Sequence, residues 1–257
     1  MKKFSMFKQF VLMFIILSVL ALLAFTLSRS SINQISKIKI EGNELLESDI
    51  YLKFAKLNNN ETIENIGLSV IHDRLEKHPY IENVDVVMLE RGVVNIKITE
   101  KKMEAILLDK NKQLLITSDA QLLPMLPGTR NIDLPIIDNY KKVEKLKLFS
   151  SIKKDESLLS ALKIISTAEF VDKNLYENIA TIDLHNGNNI SLDVIDVDFP
   201  IFFGKENEVK KTVYLSKILF HLKNKKLKRS ISYLDLRYDN LVYLGFDNVS
   251  MLKKGKT

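Results

Sequence analysis

Residues 10–27, FVLMFIILSVLALLAFTL, run for eighteen positions without a charge, a proline or a glycine. As a helix rising about 1.5 Å per residue the run would be roughly 27 Å long, close to the ~30 Å hydrocarbon core of a bilayer. Leucine, isoleucine and phenylalanine recur with no polar face, so no side of such a helix would prefer water. Lys2, Lys3 and Lys8 precede the run and Arg29 follows it, a balance that favours keeping the amino end in the cytoplasm. The expected organisation is a cytoplasmic tail over 1–9, a transmembrane helix over 10–28, and a body of about 230 residues beyond the membrane. The competing reading is a cleavable signal peptide, but the apolar region of such a peptide usually covers only about 7–15 residues. The exit Phe25-Thr26-Leu27-Ser28-Arg29 also has no small-x-small cleavage site. On either reading the body is exported.

Cysteine is absent. An exported body without it is no disulfide scaffold and must hold together by packing, and thiol catalysis and Cys-based zinc sites are excluded with it. The net charge of +6 is concentrated at the ends. Lys2, Lys3, Lys8, Arg29, Lys253, Lys254 and Lys256 lie in end segments without an acid, which leaves the rest near −1. A near-neutral body lacks the basic face that displaces counterions from nucleic acid. The local exception runs from Lys223 to Arg229. It follows an expected helix and reads as a solvated C-terminal turn that suits the helix dipole.

After a short polar linker, Ile35-Ser36-Lys37-Ile38-Lys39-Ile40 alternates with period two and predicts a half-buried strand. Glu41-Gly42-Asn43 ends it. Ser48 or Asp49 can cap a helix with Ile50, Phe54 and Leu57 on one face. Leu68, Ile71 and Leu75 mark a second helix that stops before Pro79. Residues 81–89 and 93–99 are β-rich and separated by Glu90-Arg91-Gly92, a hairpin signal. Two helices laid over three strands make a small α+β unit.

The second half stays rich in strands. Residues 105–108 and 114–117 flank a polar turn, and 134–138 starts another segment. Leu158, Leu162 and Ile165 mark a helix capped near Asp155. Residues 182–184 and 190–194 bracket Asn186-Gly187, a strong hairpin signal. Phe202-Phe203-Gly204 closes a strand. A long helix carries Leu215, Ile218, Leu219 and Leu222, and residues 231–237 and 241–246 end the series.

The stretches IKIEGN at 38–43, LEKHPYIENVDV at 75–86 and VVNIKITE at 93–100 resemble a POTRA domain. A POTRA directly after one N-terminal span resembles the bacterial divisome family FtsQ/DivIB. The phrase Tyr233-Leu234-Asp235-Leu236-Arg237-Tyr238 resembles the close of that family's β domain. Arg91-Gly92 stands where the family often has a proline, and Met103-Glu104-Ala105 replaces another. Both departures fall in turns. The resemblance implies an α+β fold: a transmembrane helix, a POTRA domain over 35–102 (strand-helix-helix-strand-strand), and an FtsQ-type β domain over 103–252. The last is a mixed α/β domain with a large, mostly antiparallel sheet, followed by a basic tail over 253–257.

No constellation for chemistry emerges. His72 and His78 are six apart rather than the i, i+4 pair of a zinc helix, and His-Glu-x-x-His is missing. With His185 and His221 they read as satisfied or solvated side chains. Asp193, Asp196 and Asp198 read as a solvated rim. Gly255-Lys256-Thr257 imitates the end of a Walker A motif, but Ser250 takes the first glycine position and no chain follows to form the helix. Gly-x-Ser-x-Gly does not occur. The expectation is a protein that is not an enzyme and has no cofactor, metal or small-molecule substrate.

Binding is then the default, and an open sheet edge can take a partner's strand. The final strand, 241–246, is the candidate. The resemblance implies that it takes up a strand from an FtsB-type coiled-coil partner that travels with an FtsL-type one. It places Tyr238, Asn240, Leu241, Tyr243 and Phe246 at the interface. Tyr238 and Phe246 are eight apart and would point the same way in an unbroken strand; alternatively both pack the core. The POTRA unit would offer a second surface to septal peptidoglycan synthase components. The implied role is a divisome scaffold in the cytoplasmic (inner) membrane at the septum, linking early and late division components and controlling septal peptidoglycan synthesis. A POTRA-containing component of protein export or outer-membrane assembly is the alternative. It calls for several POTRA repeats or a barrel of ~10-residue strands, which the remaining residues do not fit. An exported hydrolase lacks any nucleophile–base signature.

Overall fold

A computed structural model of the chain describes residues 11–24, 35–58, 66–90, 92–110, 112–185, 189–223 and 230–246. The chain divides into two compact units, Met1–Glu100 and Lys101–Thr257. Residues 11–24 are helical with exposed apolar side chains. Among the described residues no helix is long and apolar enough to cross a membrane. Positions 10 and 25–28 of the expected span lie outside the described residues.

In the first unit the order is β1 (Lys37–Glu41), α1 (Ser48–Phe54), α2 (Leu68–Leu75), β2 (Ile81–Glu90) and β3 (Val93–Glu100). The sheet order is β1-β3-β2, with β1 parallel and β2 antiparallel to the central β3. The period-two pattern of β3 buries Val94, Ile96 and Ile98, and the helices supply Tyr51, Ile71 and Leu75 to the same core. Gly42 is required where it stands. Its φ is +85°, and a Cβ there would lie 2.1 Å from the Ile98 carbonyl oxygen. The loop after it is pinned by Glu100, whose carboxylate accepts the N–H groups of Glu44 (2.9 Å) and Leu45 (2.8 Å) and the Tyr51 hydroxyl.

That anchorage shifts the start of α1 from the expected Ser48 or Asp49 cap. The N-cap is Glu47, without a side-chain cap bond. The buried face also differs, carrying Tyr51, Ala55 and Leu57 while Phe54 stays exposed. The chain turns left-handed at Lys56 (φ 56°), so Leu57 reaches the core from beyond the helix rather than along it. His78 is buried, with its ring edge-on to Tyr51 (4.6 Å), Phe54 (4.7 Å) and Tyr80 (5.7 Å). Its Nδ1 accepts the Tyr80 N–H at 3.2 Å, and burial lowers its pKa to about 4.

The second unit contains β4 (Met103–Asp109), β5 (Lys112–Thr117), β6 (Leu122–Pro124), β7 (Ile136–Asp138), α3 (Glu156–Val171), α4 (Lys173–Asn178), β8 (Ile179–Asp183), β9 (Ser191–Val194), β10 (Ile201–Phe202), α5 (Glu208–Lys223), β11 (Ile231–Asp235) and β12 (Tyr243–Phe246). They form a nine-stranded mixed sheet in the order β12-β11-β10-β9-β8-β7-β4-β5-β6. The pairs β4/β7, β7/β8 and β10/β11 are parallel, and the other five are antiparallel. Asp155 caps α3 by accepting the Leu158 N–H (3.0 Å). Leu158, Ala161, Leu162, Ile165 and Ala168 repeat at helical spacing and bury that helix in one core with Leu107, Ile137, Ile182, Leu192 and Leu234 of the sheet. The Asn186-Gly187 turn lies outside the described residues, although β8 and β9 on either side of it pair antiparallel as the hairpin requires.

Glu104 on β4 is buried, and its Oε1 has no hydrogen-bond partner. Burial raises its pKa, and Glu169 adds to this. Lys102, 3.7 Å away, opposes both but is itself committed to Glu169 at 2.5 Å. A carboxyl with a raised pKa contributes stability at low pH and loses it as pH rises. Glu104→Gln should therefore raise the unfolding free energy of the second unit at pH 7.5 by about 1 kcal/mol, read from denaturant melts. His78 works in the opposite direction. Held neutral when folded, it favours the native unit above its unfolded pKa of 6.5, and this contribution is lost as pH falls towards 4. Hydrogen exchange in β2 and β3 should report a loss of roughly 3 kcal/mol across that window, and His78→Asn, which keeps an acceptor, should flatten it.

Candidate partner-binding edge

β12 pairs with β11 on one side, and among the described strands none pairs with its other side. The register is Asp235↔Tyr243, Leu234↔Leu244, Tyr233↔Gly245 and Ile231↔Phe246, with an irregularity between Ile231 and Tyr233. Gly245 explains how so short a strand packs. The Tyr233 ring lies across it, and a Cβ at Gly245 would stand 2.2 Å from the ring. Leu244 packs against the buried core of the second unit.

The turn from β11 to β12 is held by three contacts. Asp235 is buried, and its carboxylate accepts from Arg237 Nε (2.9 Å), Nη2 (2.6 Å) and backbone N–H (2.9 Å). Burial alone would raise the Asp235 pKa, but the Arg237 side-chain and backbone bonds outweigh it and leave the group below its usual value. The guanidinium sits 5.1 Å from the Phe202 ring centre, and Phe202 in turn lies 6.0 Å from Tyr233. From α5, Lys210 Nζ donates to Asn240 Oδ1 (2.6 Å), and Asn207, just before the helix, donates to Asp239 (3.1 Å). Beneath them Lys211 is buried, its Nζ donating to the carbonyls of Lys205 (2.7 Å) and Phe203 (3.2 Å). Burial lowers its pKa.

The five expected contact residues fall as follows. Tyr238 (54% exposed), Leu241 (55%), Tyr243 (48%) and Phe246 (42%) are on the surface, so the core reading of Tyr238 and Phe246 is overturned. Tyr238 and Tyr243 meet edge to face at 5.1 Å. Asn240 takes a left-handed backbone (φ 59°) and turns to Lys210. The strand itself is shorter than expected, Tyr243–Phe246 rather than 241–246. Tyr238 lies in the preceding turn, so the unbroken strand that would align it with Phe246 does not exist. Alternation within β12 puts Tyr243 with Gly245 on one face and Leu244 with Phe246 on the other. The sequence reading missed Lys210, Tyr233 and Gly245. A glycine inside a β-rich run opposite an aromatic residue is the signal that could have found the last two.

The sheet edges differ in how they resist unwanted pairing. β1 carries Lys37, Lys39 and Glu41; β2 has two register irregularities and several acids; β6 has three residues and ends at Pro124. β12 is Tyr-Leu-Gly-Phe, without a charge or a proline. Among the described strands it is the undefended edge.

Among the described residues the remaining polar groups do not assemble a reactive centre. His185 and His221 are exposed, the latter against Phe220 at 5.9 Å. Asp196 bridges to Lys223 at 3.3 Å, and Asp193 and Asp198 are exposed. His72, Asp73 and Glu76 bring three ligand-type atoms within 4.8 Å on the outer side of α2, a grouping common without an ion. Residues 224–229 of the basic run, and 250–257, lie outside the described residues. What this end of the sheet offers is backbone donors and acceptors framed by aromatic side chains.

No protein-family model matches the chain. The cell division protein DivIB of Clostridium acetobutylicum is 22% identical over 175 residues, which covers 68% of this chain and 68% of that protein. The major extracytoplasmic domain of the trans isomer of DivIB from Geobacillus stearothermophilus aligns over 51% of this chain and 99% of that one. Its identity is 12% and its TM-score 0.32, too low a score to build on. The sequence likeness to DivIB supports the FtsQ/DivIB family for this chain.

Because the Tyr233 ring occupies the space over Gly245, Gly245→Ala must displace it. Amide exchange in β12 should speed up, with a local loss on the order of 1 kcal/mol. Adding Tyr233→Ala should remove most of the clash, so that the two changes are strongly non-additive.

Proposed function

We propose that this chain is a scaffold that recruits partner proteins by strand addition during cell division. The likeness to DivIB supports a role in cell division. The observation that carries the binding mode is β12: an uncharged edge strand that opens on exposed Tyr243 and is preceded by exposed Tyr238 and Leu241, with its turn held by Asp235, Arg237 and Lys210. A strand laid along that edge would satisfy its outward backbone groups, while side-chain pockets beside it would set specificity.

On this reading residues 10–28 anchor the chain in the cytoplasmic membrane with the body outside. Residues 35–102 are a POTRA domain, and 103–252 are the partner-binding β domain. The partners are single-span coiled-coil proteins of the FtsB and FtsL type. The first unit docks septal peptidoglycan synthase components, and the complex links early and late division proteins at the septum.

Co-purification of the full chain with two small single-span proteins, and filamentous growth on its depletion, are the expected results. Tyr243→Ala and Phe246→Ala should each weaken partner capture by about 30-fold, since buried aromatic anchors commonly contribute about 2 kcal/mol. Thermal melting should remain unchanged, because both side chains are exposed. Capture that survives both changes and a proline within β12 would rule strand addition out.

A further inference from the structure

The segment between β7 and α3 is built unlike the rest of the surface. Residues 141–154 contain six lysines, Lys141, Lys142, Lys145, Lys147, Lys153 and Lys154, all exposed. Within 141–154 the one acid is Glu144, which lies 4.0 Å from Lys110; Asp155, the cap of α3, follows Lys154. Outside its two ends the chain is nearly neutral as a whole, so this segment, like the run from Lys223 to Arg229, is a local concentration of charge. The apolar residues of the segment divide in two. Val143, Leu146 and Ile152 pack on the core of the second unit. Leu148 and Phe149 point outward, 45% and 55% exposed.

Phe149 has a φ of +63°, a left-handed backbone that a bulky side chain rarely adopts. The surrounding bonds hold it there. Phe149 N–H donates to the Leu122 carbonyl (2.8 Å), Leu122 N–H to that of Ser150 (3.0 Å), and Gln121 Nε2 to that of Phe149 itself (3.2 Å). A strained residue fixed by its neighbours and used to display an aromatic ring to solvent calls for a functional reason. Glycine would serve the turn better if the turn were all that mattered.

We propose that the 141–154 segment is a membrane-contact loop, with Leu148 and Phe149 entering the interface of an anionic phospholipid bilayer and the lysines engaging its headgroups. Adjacent apolar side chains fringed by lysine are the combination that binds such a surface. The two apolar side chains supply burial, each lysine near the surface adds attraction to anionic lipid, and the long lysine stems reach the headgroups while the backbone stays outside. The contact uses neither β12 nor its partners, so it stands apart from the strand-addition reading.

The absence of tryptophan gives a clean probe. The full chain carrying Leu148→Trp is reconstituted with vesicles of phosphatidylglycerol and phosphatidylcholine, or of phosphatidylcholine alone, and tryptophan emission is recorded. The expected result is a blue shift and quenching by brominated lipid in the anionic vesicles, lost at high salt and in phosphatidylcholine. Each Lys→Gln change among Lys141, Lys142, Lys145 and Lys147 should weaken the contact on the order of fivefold. Phe149→Gly in the same background should abolish it while the melting temperature holds or rises, which separates lipid contact from a folding role. Phe149→Trp provides a second reporter and should behave as Leu148→Trp does. Unshifted emission from both reporters in anionic vesicles overturns the proposal. So does an equal shift on adding a soluble polyanion without lipid, which would assign the lysines to a polyanionic partner.

Discussion

The end of the large sheet depends on one buried charge. Asp235 sits on β11 between Leu234 and Leu236, both fully in the core, and is itself only 4% exposed. A carboxylate in that position is tolerable only if it is partnered and its lone pairs are used. Arg237, two residues on and on the same side of the chain, supplies three guanidinium bonds and a backbone bond. The guanidinium then covers Phe202, and Gly204 leaves room for its stem, since a Cβ there would lie 2.9 Å from Arg237 Cγ. The pair therefore fixes where β11 ends, how the chain turns, and where β12 can begin. Removing the arginine alone would strand a buried charge, a larger loss than removing both partners.

Where period and burial coincide, the fold was legible from sequence. Ile71 and Leu75 on α2, Val94, Ile96 and Ile98 on β3, and the Asp155 cap of α3 were all readable because local spacing and tertiary burial demand the same residues. The failures lie where a distant group overrides local preference. Glu100, more than fifty positions away, captures the loop before α1 and moves its cap to Glu47. Likewise a left-handed Lys56, which no spacing announces, brings Leu57 into the core.

The site was legible to a lesser extent. The sequence reading put the last strand at an edge and Tyr238, Leu241, Tyr243 and Phe246 on its contact surface, but it could not decide whether Tyr238 and Phe246 pack the core; their exposure decides that. Spacing assigned Tyr238 and Phe246 to one face, but the turn through Asn240 breaks the strand and sends Tyr238 to Tyr243 instead. Contacts between α5 and the turn are invisible to periodicity. Lys210 reads as a solvated helical lysine until the fold sets Asn240 2.6 Å from it.

These contacts bear on how an edge of only four residues could serve as a receptor. A short terminal strand has few bonds of its own and would normally fray, so that a partner would have to order it on arrival. Here the ordering is largely done in advance. Asp235 and Arg237 fix the turn, Lys210 of α5 and Asn207 just before it hold the turn's tip, and Leu244 packs against the core. An incoming strand would meet a row of backbone groups already at the right spacing, and more of its binding energy would appear as affinity. Gly245 fits the same logic. With no side chain of its own, it leaves room for the Tyr233 ring laid across it from β11, and among the described strands none pairs with the other side of its backbone.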